Sequence, residues 1–282
     1  LGTTIVHTEG RFAGRGGLQL FRQSWRPPPE APPRATLVNV HGLGDHSSLY
    51  PTLVEHMVGR EIVVHSFDLR GNGRSPGTRG YIEDWWDYRE DLARFLDLVR
   101  REESGLPLFL AGNSLGGLIV LDYAMLVSEG LRGVAAISTP LGQLGVPSIL
   151  LALGRVLSRA WPRFSLETGM DLTGLARDPA VAEQILGDPL FHRRGTARLS
   201  TEVVRTIARV QASAPSFRLP VLIMHGADDR MVFPEGSRVF AARVGSPDKQ
   251  LIVYPGGYHA LFADLGHERP LADLSGWIEA RL

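Results

Sequence analysis

Ser114, Asp229 and His259 are the residues of this sequence whose types and surroundings point to covalent chemistry on a carbonyl. Ser114 sits in "LFLAGNSLGGLIVLDYA", where Gly112, Asn113, Ser114, Leu115 and Gly116 fit G-x-S-x-G and Gly117 follows. An apolar run before the serine and another after it read as a strand, a sharp turn and a helix. Glycine on each side lets neighbouring backbone approach closely, while the serine is strained and its hydroxyl projects from the turn. The N–H of Leu115, opening the helix, can then donate to an oxyanion that develops on the substrate. A Gly-rich strand-to-helix turn without chemistry is the alternative reading of the same residues.

Two later segments supply partners. "VLIMHGADDRMVFP" ends an apolar run with two aspartates, and the spacing G-x-x-D counted from Gly226 selects Asp229, leaving Asp228 as the other candidate with a turn or capping role. "LIVYPGGYHALFAD" ends the next run with His259, after the Gly256-Gly257 turn that can present an imidazole to Ser114. His267 is a weaker competitor in a polar run further on. A second oxyanion donor is expected in "HGLGDHSSLY", where Gly42 and Gly44 let the backbone turn its amides inward, so that Leu43 N–H pairs with Leu115 N–H. His41 and His46, five apart with no carboxylate cluster, form a poor zinc site, and His41 is expected to hold its loop by local hydrogen bonds. Neither a metal nor an organic cofactor is called for.

The elements that must position these residues follow from hydrophobic patterning. "RFAGRGGLQLFRQSW" alternates around glycines and predicts a hairpin. Short continuous apolar runs at "ATLVNVHG", "EIVVHSFDLRG", "LPLFLAGN", "GVAAIS", "LPVLIMHG" and "KQLIVYPG" predict buried strands, separated by amphipathic helices that include "WWDYREDLARFLDLVRREE" and a last one over residues 271–282. Strands buried on both faces and alternating with helices predict an α/β fold around a mostly parallel sheet. Between Ser138 and Leu219 the alternation stops, and a structureless loop of that length is improbable. The expected organisation is therefore a first core segment (1–138), an inserted helical cap (139–218) and a second core segment (219–282).

Composition narrows the partners. Thirty Lys and Arg balance thirty Asp and Glu, which gives no basic field for nucleic acid. The absence of cysteine removes disulfides, thiolate metal sites and a cysteine nucleophile together. Lys249 is the single lysine, so nearly all positive charge is guanidinium. No apolar run approaches the roughly 20 residues of a membrane span. Since the chain opens on Leu1 without a recognisable signal segment, the expected setting is cytoplasmic or peripheral at a membrane, with secretion left open.

Together, "VNVHGLGDHSSLY", "FDLRGNGRSPGTRGYIEDWWDYREDL", "AGNSLGGLIVLDYA", "DPLFHRRGTARL", "VLIMHGADDRMVFP" and "VYPGGYHALFAD" resemble the monoglyceride lipase and lysophospholipase branch of the α/β-hydrolases. Six motifs in order over most of the chain are more specific than any one, and the cap matches least well. Asn113 departs from the branch, which usually places histidine there. The resemblance implies a serine carboxylester hydrolase of the α/β-hydrolase fold acting on monoacylglycerols, with Ser114 as nucleophile, Asp229 as acid, His259 as base and Leu43 and Leu115 as backbone donors. The alternatives are a lysophospholipase, a broad short- or medium-chain esterase and, outside enzymes, a small-molecule-binding receptor on the same fold.

"VPSILLALGRVLSRAWPRF" carries Ile149, Leu150, Leu153, Val156 and Leu157 at helical spacing, with Arg155, Arg159 and Arg163 toward another side. This cap helix either packs on the domain beneath it or lines an acyl tunnel through Ile149, Leu150 and Leu153, with transient contact to a membrane or micelle. Trp85 and Trp86 are expected to pack helix to core rather than to line the site.

Overall fold

The computed structural model describes residues 5–142, 148–167 and 171–282, with the side chains of 148–151 and 153 outside that description. The expected hairpin forms as β1 (Val6–Ala13) and β2 (Gln19–Arg26), paired antiparallel around Gly16 and Gly17. Then come β3 (Ala35–Val40), α1 (Pro51–Val58), β4 (Ile62–Phe67), α2 (Trp86–Glu102), β5 (Leu108–Asn113), α3 (Leu115–Leu126) and β6 (Gly133–Ile137). After β6 the chain leaves the sheet for α4 (Ser148–Ala160), β7 (Ser165–Glu167), α5 (Pro179–Gly187), β8 (Arg194–Thr196) and α6 (Ala197–Ser213). It returns for β9 (Val221–Gly226), α7 (Glu235–Arg243), β10 (Lys249–Tyr254) and α8 (Glu268–Glu279).

One eight-stranded sheet runs in the order β1-β2-β4-β3-β5-β6-β9-β10, with β1 and β2 antiparallel at one edge and the other six parallel. The five parallel strands inside the sheet are buried along their whole length and mostly apolar because both faces are covered, while β10 at the edge is half-buried and begins with exposed Lys249 and Gln250. Val38, Val40, Leu110, Val134, Ala136 and Ile223 face a core shared with α2, α3 and α6, while Leu37, Val64, Phe109, Ala111, Leu222 and Met224 face one shared with α1 and α8. From β3 the chain passes first to β4 on one side and then to β5 on the other. The order reverses there, and loops leaving the carboxyl ends of β3 and β5 diverge to open a crevice. Ser114 and Leu43 stand in those two loops.

The region between β6 and β9 is not purely helical as the sequence reading had it: β7 and β8 pair antiparallel as a small second sheet. Strands of three residues show no measurable period, so patterning could not reveal them. α6 is amphipathic, and its Leu199, Ile207 and Val210 join the core beneath α3.

Candidate active site

Ser114 has φ 53° and ψ −119°, a conformation that L-residues rarely adopt. Its surroundings impose it. A Cβ on Gly112 would collide with the Gly116 carbonyl, one on Gly116 with the Val40 carbonyl, and one on Gly117 with the Thr139 hydroxyl. All three glycines are needed to bring β5, the turn and α3 this close, and Ser114 N–H is tied to the Ile137 carbonyl at 2.8 Å on the neighbouring strand.

His259 Nδ1 lies 2.7 Å from Asp229 Oδ2, with both side chains buried. The carboxylate can only accept, so Nδ1 carries the proton and Nε2 is left with a free lone pair. Asp229 is fixed in turn: its Oδ1 accepts from the N–H groups of Met231 and Val232, each at 2.9 Å. His225, fully buried at the end of β9, places Nε2 2.8 Å from the Val232 carbonyl and 3.4 Å from Asp229 Oδ2. A nitrogen facing a carbonyl must carry hydrogen, so His225 faces Asp229 as a donor. Burial disfavours charge on both members of the His259–Asp229 pair, but their mutual attraction and hydrogen bond outweigh it. The His259 pKa is raised and the Asp229 carboxyl is held well below the usual carboxylate range. Asp228 is exposed, and among the described residues the His267 ring reaches the Asp264 carbonyl and, at 4.0 Å, Glu268.

Leu43 and Leu115 lie at the ends of β3 and β5, and among the described residues neither N–H has a protein acceptor. The amides flanking Leu43 are engaged: Gly42 N–H donates to Asp45 Oδ2 at 3.3 Å and Gly44 N–H to Asn72 Oδ1 at 3.1 Å. His41 is structural, as its setting suggested. Its Nε2 accepts from Leu69 N–H at 2.9 Å, so Nδ1 bears the proton donated to the Gly42 carbonyl at 2.7 Å. That carbonyl shares a peptide with the Leu43 N–H, so holding one sets the direction of the other.

The sequence profile of the family described as "Serine aminopeptidase, S33" matches residues 31–266. The chain belongs to this family. Within the family it falls in the monoglyceride lipase-like branch of the α/β-hydrolases. It is 30% identical to the monoacylglycerol lipase of Mycolicibacterium smegmatis over 98% of this chain and 99% of that one, and 29% identical to the human monoglyceride lipase over 93% and 84%. Among solved structures it resembles the Paleococcus ferrophilus monoacylglycerol lipase (TM-score 0.84, 34% identity, covering 93% and 99% of the two chains). It also resembles a soluble variant of the Saccharomyces cerevisiae monoglyceride lipase in complex with a substrate analogue (TM-score 0.87, 25% identity, covering 97% and 94%).

In this α/β-hydrolase, Ser114, His259, Leu43 and Asn113 line one cavity that opens to solvent. Its walls are mostly apolar, with Leu172 and Leu175 from the segment before α5, Ile185 from α5, and Met231 and Phe262 from the core loops. Two polar residues that the sequence reading did not single out, Asp45 and Tyr50, stand on the same cavity, and Tyr50 Oη donates to Asp45 Oδ2 at 2.8 Å. Burial and then the Asp45 charge raise the Tyr50 pKa, which keeps the hydroxyl a donor. Their only sequence signal was position, just after the glycine loop. The side chains of Ile149, Leu150 and Leu153 lie outside the described residues.

Trp85 is buried, its Nε1–H donating to Asp122 Oδ2 at 2.8 Å, whereas Trp86 is 57% exposed and only approaches Arg89, at 4.9 Å. Core packing thus holds for Trp85 and fails for Trp86, since α2 turns the second indole outward at its first residue.

Proposed function

We propose that the protein is a serine carboxylester hydrolase that cleaves monoacylglycerols to fatty acid and glycerol through an acyl-enzyme on Ser114. The observation that carries this reading is the placement of Ser114 and His259 on one cavity, with the His259 lone-pair nitrogen turned away from Asp229. His259 Nε2 takes the Ser114 proton as the hydroxyl attacks the ester carbonyl, and the buried Asp229 carboxylate stabilises the imidazolium that results. The Leu43 and Leu115 amides receive the tetrahedral oxyanion. Collapse of that intermediate expels glycerol, protonated by His259, and water repeats the sequence to free the fatty acid.

The apolar wall from Leu172 to Ile185 suits an acyl chain, and Asp45 and Tyr50 suit glycerol hydroxyls. Residues 139–218 act as the cap over this site. Val156, Trp161 and Leu166 are each more than 60% exposed, beside exposed Arg155, Arg159 and Arg163. That combination supports transient contact with a lipid surface from a peripheral position. Among the described residues no helix is long and apolar enough to cross a membrane.

Hydrolysis of monoacylglycerol, diacylglycerol, lysophospholipid and a simple ester series, by the wild-type protein and Ser114→Ala, tests the proposal. Preference for monoacylglycerol and loss of turnover in the variant are expected. Turnover retained by Ser114→Ala would end the mechanism, and a flat or short-chain profile would end the substrate assignment.

A further inference from the structure

The glycine loop that carries Leu43 is gripped from the cap. Gly44 has φ 81°, and a Cβ there would collide with the carbonyl of His192, so only glycine lets the cap backbone lie directly on the loop. Across this contact His192 N–H donates to the Gly44 carbonyl at 3.1 Å. On the other side of the same residue Gly44 N–H donates to Asn72 Oδ1, whose orientation is set because Asn72 Nδ2 donates to the Arg70 carbonyl at 3.0 Å.

The His192 ring reaches that same oxygen. Its Nδ1 accepts from Arg194 N–H at 3.1 Å, so the proton resides on Nε2, which stands 2.8 Å from Asn72 Oδ1 and donates to it. Burial first, and then the Arg79 charge, lower the His192 pKa to about 4, so the ring is neutral near pH 7 and keeps this tautomer. The next residues repeat the grip. Gly80, with φ 65°, leaves room for the Arg194 carbonyl, and Thr196 donates to the Gly80 carbonyl from N–H at 3.1 Å and from its hydroxyl at 2.7 Å.

Leu43 stands between two held peptides. His41 holds the one before it through the Gly42 carbonyl, and Asn72 with His192 holds the one after it through Gly44 N–H. With both planes fixed, the Leu43 N–H cannot rotate out of the cavity without breaking a buried hydrogen bond. We propose that His192 is a positioning residue for the hydrolysis, a part of the cap that aligns the Leu43 amide with the tetrahedral oxyanion. This rests on the reading of Leu43 as an oxyanion donor and of Ser114 as the nucleophile.

The test compares wild type with His192→Ala, His192→Gln, Asn72→Ala and the His192→Ala/Asn72→Ala double variant. The readouts are kcat and KM on a monoacylglycerol, and inhibition by two ligands. One is a long-chain alkyl trifluoromethyl ketone, which becomes a tetrahedral adduct on the serine; the other is a monoalkyl glycerol ether, which binds without forming an oxyanion. A misdirected oxyanion donor costs roughly 10–100-fold in turnover. His192→Ala is therefore expected to lose about that factor in kcat, with KM within about threefold, and to lose the same factor in ketone affinity while ether affinity holds.

His192→Gln, whose amide can still donate to Asn72, should recover most of the loss. The double variant should lose little more than the worse single one, as expected of residues acting through one bond. An unchanged ketone affinity in His192→Ala, or an equal loss for ketone and ether, would overturn the proposal. Failure of the underlying reading has a different signature: the wild-type protein would then form no ketone adduct that Ser114→Ala abolishes.

Discussion

Asp229 and His259 meet at 2.7 Å although thirty positions separate them, because they leave the carboxyl ends of β9 and β10, which are neighbouring parallel strands in register from Val221 to Gly226. Asp228, one residue earlier, is exposed and has no bond to His259. Asp229→Asn should therefore cut kcat by about three to four orders of magnitude, as expected when the base loses its orienting carboxylate, while Asp228→Asn should stay within a few-fold of wild type. Steady-state kinetics on one ester settles which aspartate is the partner.

The same pair sets the pH dependence. A base works when neutral, and the Asp229 charge raises the His259 pKa, so the acidic limb of kcat/KM should lie above the ordinary histidine value of about 6.5. In Asp229→Asn burial remains and the attraction is gone, so the residual activity should titrate at lower pH. The linked stability has a definite window. His259 contributes below its unfolded pKa and loses that contribution as pH rises through the raised folded value. Asp229 contributes above its unfolded pKa and loses that contribution as pH falls through its depressed one. The difference in unfolding free energy between wild type and Asp229→Asn should peak between about pH 4 and 6.5, measured by denaturant titration across pH.

Ser114 pays for its position in backbone strain. Glycine adopts φ 53° without that penalty, so Ser114→Gly should abolish turnover and yet stabilise the fold by about 1 kcal/mol. Ser114→Ala, which keeps a Cβ, should gain less. Thermal unfolding of the three proteins side by side makes the comparison, and a destabilised Ser114→Gly would contradict it.

Asp122 on α3 is buried and accepts from Trp85 Nε1, from Arg89 Nη2 and from Arg209 Nε, each at 2.8 Å, which ties α2 and α6 to the helix that begins at the serine. Asp122→Ala would leave two guanidinium groups facing each other without their carboxylate, at a cost of about 3–5 kcal/mol by denaturant titration. Trp86→Ala, at an exposed indole on the same helix, should cost less than about 0.5 kcal/mol. The contrast separates the buried Asp122 junction from the exposed indole at the start of α2.

What the sequence reveals of the fold follows from period and punctuation. The parallel strands announced themselves as apolar runs because all but the edge strand β10 are buried on both faces, and Ser114, Asp229 and His259 each follow such a run within a few residues. Residues that act through long-range contact left no such mark. Nothing near His192 foretells a bond to Asn72, 120 positions away, or a backbone resting on Gly44. Asp45 and Tyr50 were equally silent, since a carboxylate and a phenol five residues apart in a polar loop look like solvated surface until the cavity closes around them. Trp85 and Trp86 were inseparable because the first precedes the helix and has no face of its own.

The single lysine has a practical meaning. Lys249 begins β10, exposed, with its ammonium donating to the Val244 carbonyl at 2.8 Å. It lies at the amino end of the parallel strands, whereas Ser114, Asp229 and His259 gather at their carboxyl end. Coupling through this one side-chain amine would seat every molecule on a support in the same orientation, with the mouth of the cavity facing the bulk liquid.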